Sequence, residues 1–184
     1  MSMIASPGQL RASFLRWALV FVPLIVFLGL LSATLGNADS QWFQALTKPA
    51  TFPPPVTFGI VWTLLYVLMG LAAALVAAAR GAPGRGLALL LFAVQMVLNL
   101  CWSPVFFGMH QMTKALYLLF AMDVAVAVTI LLFWKVRPKA AWLMLPYMAW
   151  ILFATLLNWQ FIQANPGADG MPTASQVTRI QLGP

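Results

Sequence analysis

The sequence predicts an all-α integral membrane protein, a five-transmembrane-helix bundle in a single domain. Composition indicates the membrane, since 62% of residues are hydrophobic, only 7% are charged and the mean hydropathy is +0.91, whereas roughly a quarter of the residues of a soluble domain are charged. The apolar residues form five runs, each near the roughly 20 residues that a helix needs to cross the hydrocarbon core. Helices are expected because an open strand cannot satisfy its backbone groups in lipid.

Taken in order, the first span carries an alternative interpretation and the remaining four do not. Two arginines precede its apolar stretch, which ends in small residues as a cleaved signal peptide would. A signal peptide has a shorter apolar core of roughly 7 to 15 residues, so a retained span is favoured. Polar residues 163–184, with glycine and proline, are predicted to form a flexible C-terminal tail. The predicted spans cover residues 14–35, 58–79, 87–107, 115–134 and 140–162.

One connection, residues 36–57, is longer than the others and rich in proline. The stretch LTKPATFPPPVTFGIVW, residues 46–62, covers the second half of this loop and the start of the second span. Proline fixes φ and lowers the entropy lost when a loop becomes ordered. The sequence therefore predicts a loop of defined shape that has no hydrogen-bonded element of its own.

The basic residues predict how the bundle lies in the membrane. The chain carries ten Lys and Arg against three acidic residues, a net charge of +7. No basic stripe with interleaved polar residues is present, so nucleic-acid binding is not expected. By the positive-inside rule the N-terminus is predicted to be cytoplasmic and the C-terminus outside, if the protein is in an inner membrane. Seven basic residues fall on the N-terminal side, namely Arg11, Arg16, Arg80, Arg85, Lys135, Arg137 and Lys139, and three on the other, namely Lys48, Lys114 and Arg179.

Residues that carry enzyme or metal chemistry are few. The single cysteine, Cys101, forms neither a disulfide nor a cysteine metal site within one chain. His110 is interpreted either as an axial haem ligand or as a solvated loop residue, with the second favoured, so no metal site is expected. Asp123 is the only acid within a span and is either functional or a hydrogen-bonded link between helices. Nothing resembles a general acid or base, so the sequence favours binding over catalysis.

Three predicted spans each place aromatic and hydrogen-bonding side chains on one narrow helical face, at spacings of three or four residues. Amides and aromatic residues also join helices or mark the membrane interface, which is the alternative interpretation. Several such faces in a small bundle favour a shared internal cavity, where a ligand would bind. These residues are Trp62 and Tyr66 in the second span, Gln95, Asn99 and Trp102 in the third, and Tyr147, Trp150, Ala154 and Asn158 in the fifth.

Four motifs, WFQALTKPATFPPP, GIVWTLLYVLMG, LNLCWSPVFFGMHQM and LPYMAWILFATLLNW, resemble the TspO/MBR family of tryptophan-rich sensory proteins and translocator proteins, also called the peripheral-type benzodiazepine receptor family. The resemblance covers about residues 40 to 162. It implies a five-helix bundle, often a homodimer, in which loop 36–57 is a lid over the ligand cavity. It also implies porphyrin binding and, in mitochondrial members, binding of cholesterol and benzodiazepine-type ligands.

Carried over by position, the resemblance implies a porphyrin pocket in which Trp62 and Trp150 stack on the ligand and take part in its light-dependent degradation. Lys114 stands where mitochondrial members place a pocket-mouth tryptophan. A cation there would meet a porphyrin carboxylate, although a basic residue at the membrane surface is the favoured interpretation. Other positions that the resemblance places at the cavity are Tyr66, Asn99, Trp102, Tyr147, Ala154 and Leu157.

The expected function is that of a membrane receptor or sensor for porphyrins, which are ligands rather than required cofactors, with at most slow photo-oxidative degradation of the porphyrin. Two alternatives stay open: a transporter of porphyrin or a sterol-like molecule, and a structural partner of other membrane proteins. The lid has Thr51 and Val56 where family members often have tryptophan, and Trp159 replaces the tyrosine of a cholesterol motif, which argues against sterol specificity. The overall resemblance favours a bacterial cell envelope.

Overall fold

A computed structural model describes residues 7–36 and 38–171. Within these residues the chain is helical and has no β-strand, and five of its helices are long and apolar enough to cross a membrane. The predicted five-helix fold is therefore confirmed. The helices are α1 (Pro7–Gly36), α2 (Gln41–Ala45), α3 (Pro55–Ala78), α4 (Arg85–Ser103), α5 (Met112–Val136) and α6 (Pro138–Ala164), and a π-helical turn, Pro104–Gly108, continues α4.

The helix ends follow from proline and glycine. Pro55 and Pro138 occupy the first turns of α3 and α6, where the missing N–H costs nothing because it would have no intrahelical partner. Gly84 precedes α4 with a φ of 76°, a left-handed conformation that glycine adopts without strain. Gly84 and Pro138 thus make the turns after α3 and after α5 short at one end of the bundle, whereas Pro55 begins α3 at the other end.

The spanning helices form a closed ring around a dense centre. In order around the ring, α1 packs on α3, α3 on α6, α6 on α5, α5 on α4, and α4 on α1. Small residues bring α1 and α3 close together, because Gly29 faces the Tyr66 ring and Gly70 faces the backbone of Val22. The Ser32 hydroxyl joins α1 to α4 by donating to the Leu100 carbonyl at 2.6 Å.

The loop after α1 differs from its prediction. Residues 38–54, called the lid below, contain α2, so the lid has a hydrogen-bonded helix of its own. The sequence offers the reason: Ser40 is an N-cap whose side chain accepts a bond from the Phe43 N–H at 3.3 Å. Trp42 and Phe43 of this helix are buried, which fixes it against the bundle.

The predicted tail begins inside described structure. Residues 163 and 164 still belong to α6, and residues 165–171, called the strap below, make hydrogen bonds to the lid and to the turn before α5. The rest of the predicted tail, residues 172–184, lies outside the described residues. Residues 1–6, which precede α1, also lie outside them.

Candidate functional site

A cavity of about 310 Å³ lies inside the bundle, in the half nearer the lid. All five spanning helices, the π-helical turn and the lid contribute to its walls. Its volume is at the lower end of the roughly 300 to 1,000 Å³ typical of small-molecule sites. Most of the lining is apolar or aromatic, which suits a flat hydrophobic ligand.

One wall of the cavity is built by aromatic residues of α3 and α6. The Trp62 and Trp150 rings are perpendicular, with centroids 6.5 Å apart. Trp62 also stacks on Tyr66 at 5.3 Å, and Phe58 meets Trp150 edge-on at 5.8 Å. The two indoles therefore meet at a right angle, with one held by a stacked ring and the other by an edge-on ring.

The opposite wall comes from the end of α4 and the π-helical turn. Trp102 stacks on Phe106 at 5.0 Å, and the neighbouring Phe107 packs edge-on against Phe43 of the lid at 4.9 Å. A π-helical turn holds one more residue than an α-turn. Here it lets the consecutive residues Phe106 and Phe107 both line the cavity.

A hydrogen-bond chain runs from the cavity wall into the bundle centre. The Tyr66 hydroxyl donates to Asn99 Oδ1 at 3.1 Å, and Asn99 Nδ2 donates to the Tyr147 hydroxyl at 3.2 Å. Tyr147 in turn donates to Gln95 Oε1 at 3.0 Å. Tyr66 and Asn99 line the cavity, while Tyr147 and Gln95 are fully buried behind them. The chain thus holds α3, α4 and α6 in register, since unpaired polar groups are costly in lipid.

Two further polar groups of lining residues have no hydrogen-bond partner among the described residues. They are the indole N–H of Trp102 and the side-chain oxygen of Asn158. Asn158 uses its Nδ2 to donate to the Met112 carbonyl at 2.9 Å, which leaves Oδ1 as an unused acceptor. Buried groups of this kind usually find a partner. Both atoms are buried, so neither is exposed to the cavity in this structure.

The strap holds the lid in place beside the cavity. Trp42 stacks on His110 at 4.5 Å and donates its indole N–H to the Ala168 carbonyl at 3.2 Å. Asn165 binds the backbone of Thr47 twice, since Oδ1 accepts from its N–H at 2.7 Å and Nδ2 donates to its carbonyl at 3.0 Å. The lid is therefore joined both to the strap and to the turn before α5 by direct side-chain contacts.

Lys48 fixes the lid internally. Its ammonium group lies 4.1 Å from the centroid of the Phe43 ring and donates to the Phe43 and Leu46 carbonyls. Desolvation by burial lowers the pKa of Lys48 below its ordinary value. The contacts of Lys48 thus stabilise the conformation of the lid itself.

Most residues selected by sequence lie together on the cavity wall. Lys114 does not: it is exposed, outside the lining. Asp123 also lies outside it and accepts a hydrogen bond from the Thr155 hydroxyl at 2.9 Å, joining α5 to α6. His110 stacks on Trp42, and no cluster of metal-ligating side chains occurs within residues 7–36 and 38–171. Those on the wall are Trp62, Tyr66, Asn99, Trp102, Trp150, Ala154, Leu157 and Asn158, while Tyr147 and Gln95 are buried behind them.

Sequence reasoning missed a set of phenylalanines that complete the cavity. They lie in the lid, at the start of α3, in the π-helical turn and near the end of α6. The signal available was their concentration in loop 36–57 and near the ends of the predicted spans 58–79, 87–107 and 140–162, where aromatic residues are also typical of the membrane interface. These residues are Phe43, Phe52, Phe58, Phe106, Phe107 and Phe161.

Comparison with known proteins identifies relatives of this chain. The model of the TspO/MBR family matches residues 20–163. The chain is 40% identical over 125 residues to the tryptophan-rich sensory protein of Cereibacter sphaeroides, which covers 68% of this chain and 77% of the relative. It is 33% identical over 147 residues to the tryptophan-rich protein TspO of Chlorobaculum tepidum, covering 79% and 93%, and 38% identical over 132 residues to the human translocator protein, covering 71% and 78%. With this match and this arrangement of five membrane-spanning helices, the chain belongs to the TspO/MBR family.

Proposed function

We propose that this protein is a membrane receptor that binds tetrapyrroles, with porphyrin as the ligand, in the cavity beneath the lid. The observation that carries the proposal is the pair of indoles, Trp62 and Trp150, set at a right angle on one wall with Trp102 stacked in the opposite wall. Aromatic rings bind flat conjugated molecules by stacking and edge contacts. The position of the cavity supports a receptor over a transporter, because its described lining lies in one half of the bundle.

The charges of the lining define how such a ligand would be oriented. Among the residues that line the cavity, Asp39 at the lid carries the only charge, and none is basic. Burying a carboxylate without a partner is costly. The macrocycle would therefore enter with an apolar edge first and keep its carboxylates in water outside the cavity, away from the like-charged Asp39.

The proposal is tested by tryptophan fluorescence in detergent micelles titrated with protoporphyrin. Wild type is expected to show saturable quenching, and Trp62→Phe with Trp150→Phe to bind at least tenfold more weakly, because both stacking partners lose area and polarisability. The matched control is Trp134→Phe with Trp142→Phe, a contacting pair that is exposed and lies outside the cavity lining. Equal binding by both double variants would reject the assignment of the indole wall, and unsaturable quenching of wild type would reject the function.

Slow light-dependent degradation of the porphyrin is a second part of the proposal. The excited macrocycle would take one electron from a wall indole, leaving an indole radical cation and a porphyrin radical anion. Dioxygen would then add to a carbon of the radical anion, and return of one electron to the indole radical cation would restore the indole and leave a neutral porphyrin–dioxygen adduct from which the ring opens. Illumination of the bound complex is expected to bleach the porphyrin absorption in air. Bleaching at the same rate in the Trp62→Phe, Trp150→Phe double variant, compared at equal occupancy, would reject the role of the indoles.

We further propose a homodimer in a bacterial cell envelope, with the end that bears seven basic residues in the cytoplasm. Reporter fusions at the N-terminus and after α6 would test the orientation, since the two sites are expected on opposite sides. Cross-linking in membranes would test the dimer, and recovery of monomer alone would reject it.

A further inference from the structure

A second cavity lies at the end of the bundle opposite the lid. This basic groove, of about 460 Å³, is formed where the start of α1, the end of α3 and the junction of α5 and α6 meet. It has an apolar part and a cationic part, and it is separate from the aromatic cavity. Its apolar residues are Leu10, Phe14, Leu75 and Ala78, and its cations are Arg137 and Lys139.

The charge around the basic groove is of one sign. The chain has three acidic side chains in all, and none is near this end: Asp39 and Asp169 lie in the lid and the strap, and Asp123 is within α5. Seven basic side chains gather here instead. The Arg85 side chain is already used, since it donates to the Ala77 carbonyl at 3.0 Å, and neither groove cation has an acidic side chain to pair with.

The apolar and cationic parts of the basic groove together indicate which ligand would bind there. Lipid tails would cover Leu10, which is 47% exposed, and the half-buried Phe14 beside it. Arginine and lysine at the membrane surface attract anionic headgroups, and arginine pairs well with phosphate. We propose that the basic groove is a binding site for one anionic glycerophospholipid, with its phosphate at Arg137 and Lys139 and an acyl chain along the α1 and α3 side chains.

The test is native mass spectrometry of the full chain in detergent, titrated with phosphatidylglycerol or phosphatidylcholine. Wild type is expected to bind one phosphatidylglycerol at least tenfold more tightly than phosphatidylcholine. Arg137→Gln with Lys139→Gln is expected to weaken phosphatidylglycerol by about 30-fold, or about 2 kcal/mol at roughly 1 kcal/mol for each basic residue. Equal affinity of wild type for the two lipids would overturn the proposal.

A matched control separates the site from general attraction by a basic surface. Arg80→Gln with Lys135→Gln removes the same two charges from exposed positions at the same end but outside the lining. This control is expected to change the affinity for phosphatidylglycerol less than threefold. If the control variant weakens binding as much as the groove variant does, the lipid is attracted only by the net charge of this end, and the proposed site is rejected.

Two further experiments test where the acyl chain binds and whether the phosphate belongs to a lipid. Ala78→Phe fills the groove and keeps both cations, so it is expected to weaken phosphatidylglycerol at least tenfold, and an unchanged affinity would overturn the assigned acyl position. Inorganic phosphate at millimolar concentration is expected not to displace the lipid. Displacement would show a site for free phosphate rather than for a lipid. Helix content by circular dichroism checks that each variant is folded.

Discussion

Replacement of Tyr147 by phenylalanine tests whether the buried hydrogen-bond chain holds the bundle together. The change removes one oxygen and leaves Asn99 Nδ2 and Gln95 Oε1 without the partner that each has in the structure. In water-soluble proteins each such loss costs about 1 to 3 kcal/mol, and between membrane helices a hydrogen bond contributes about 0.6 kcal/mol on average. We therefore expect Tyr147→Phe to lower the free energy of unfolding by about 1 to 4 kcal/mol.

The assay is equilibrium unfolding in mixed micelles with a denaturing detergent, followed by circular dichroism. Tyr117→Phe is the control, because Tyr117 is 67% exposed and its variant should match wild type within about 0.5 kcal/mol. Gln95→Leu in the Tyr147→Phe background should recover part of the loss, since it removes a polar group that has become unpaired. A Tyr147→Phe variant as stable as wild type, or losses that simply add in the double variant, would refute the reasoning.

Three other predictions use different parts of the fold. Asn165→Ala removes both bonds to the Thr47 backbone, and amide hydrogen exchange in the lid should speed up about tenfold or more, whereas unchanged exchange would show that the strap does not hold it. Gly70→Leu drives side-chain atoms into α1 and should lower the free energy of unfolding by about 1 to 3 kcal/mol. Gly59→Ala, whose Cβ meets open space inside α3, should be as stable as wild type or up to about 1 kcal/mol more stable, and similar losses for both variants would contradict the packing described. Asp123→Asn should leave porphyrin affinity within twofold of wild type because its carboxyl lies outside the cavity lining, and a larger loss would connect it to binding.

The fold was largely predictable because the membrane imposes a simple rule. Each spanning helix needs a long apolar run, and polar or proline-containing segments separate the runs in the chain. The helices extend beyond the runs, as where α1 begins at Pro7 rather than at residue 14, because a helix continues into the interface with polar side chains. Helix α2 was not predicted, since five residues give no periodicity and only the Ser40 cap marks its start.

The site was predictable in part, for a similar reason. Regular spacing along α3, α4 and α6 places Trp62, Asn99 and Trp150 on inward faces, and these residues line the cavity. The π-helical turn breaks this regularity, so the paired inward positions of Phe106 and Phe107 do not follow from helical spacing. The hydrogen bonds between the strap and the lid join residues more than a hundred positions apart and leave no local pattern in the sequence.

The strap also bears on how fast any ligand exchanges through the lid. Three hydrogen bonds link the lid to the strap and hold this edge of the lid closed. At about 1 kcal/mol each, they leave the edge open for roughly one part in 150 of the time. Entry and exit by this route are both slowed by that same fraction, so the equilibrium affinity is unaffected. The strap therefore lengthens the residence time of a ligand although none of its seven residues lines the cavity.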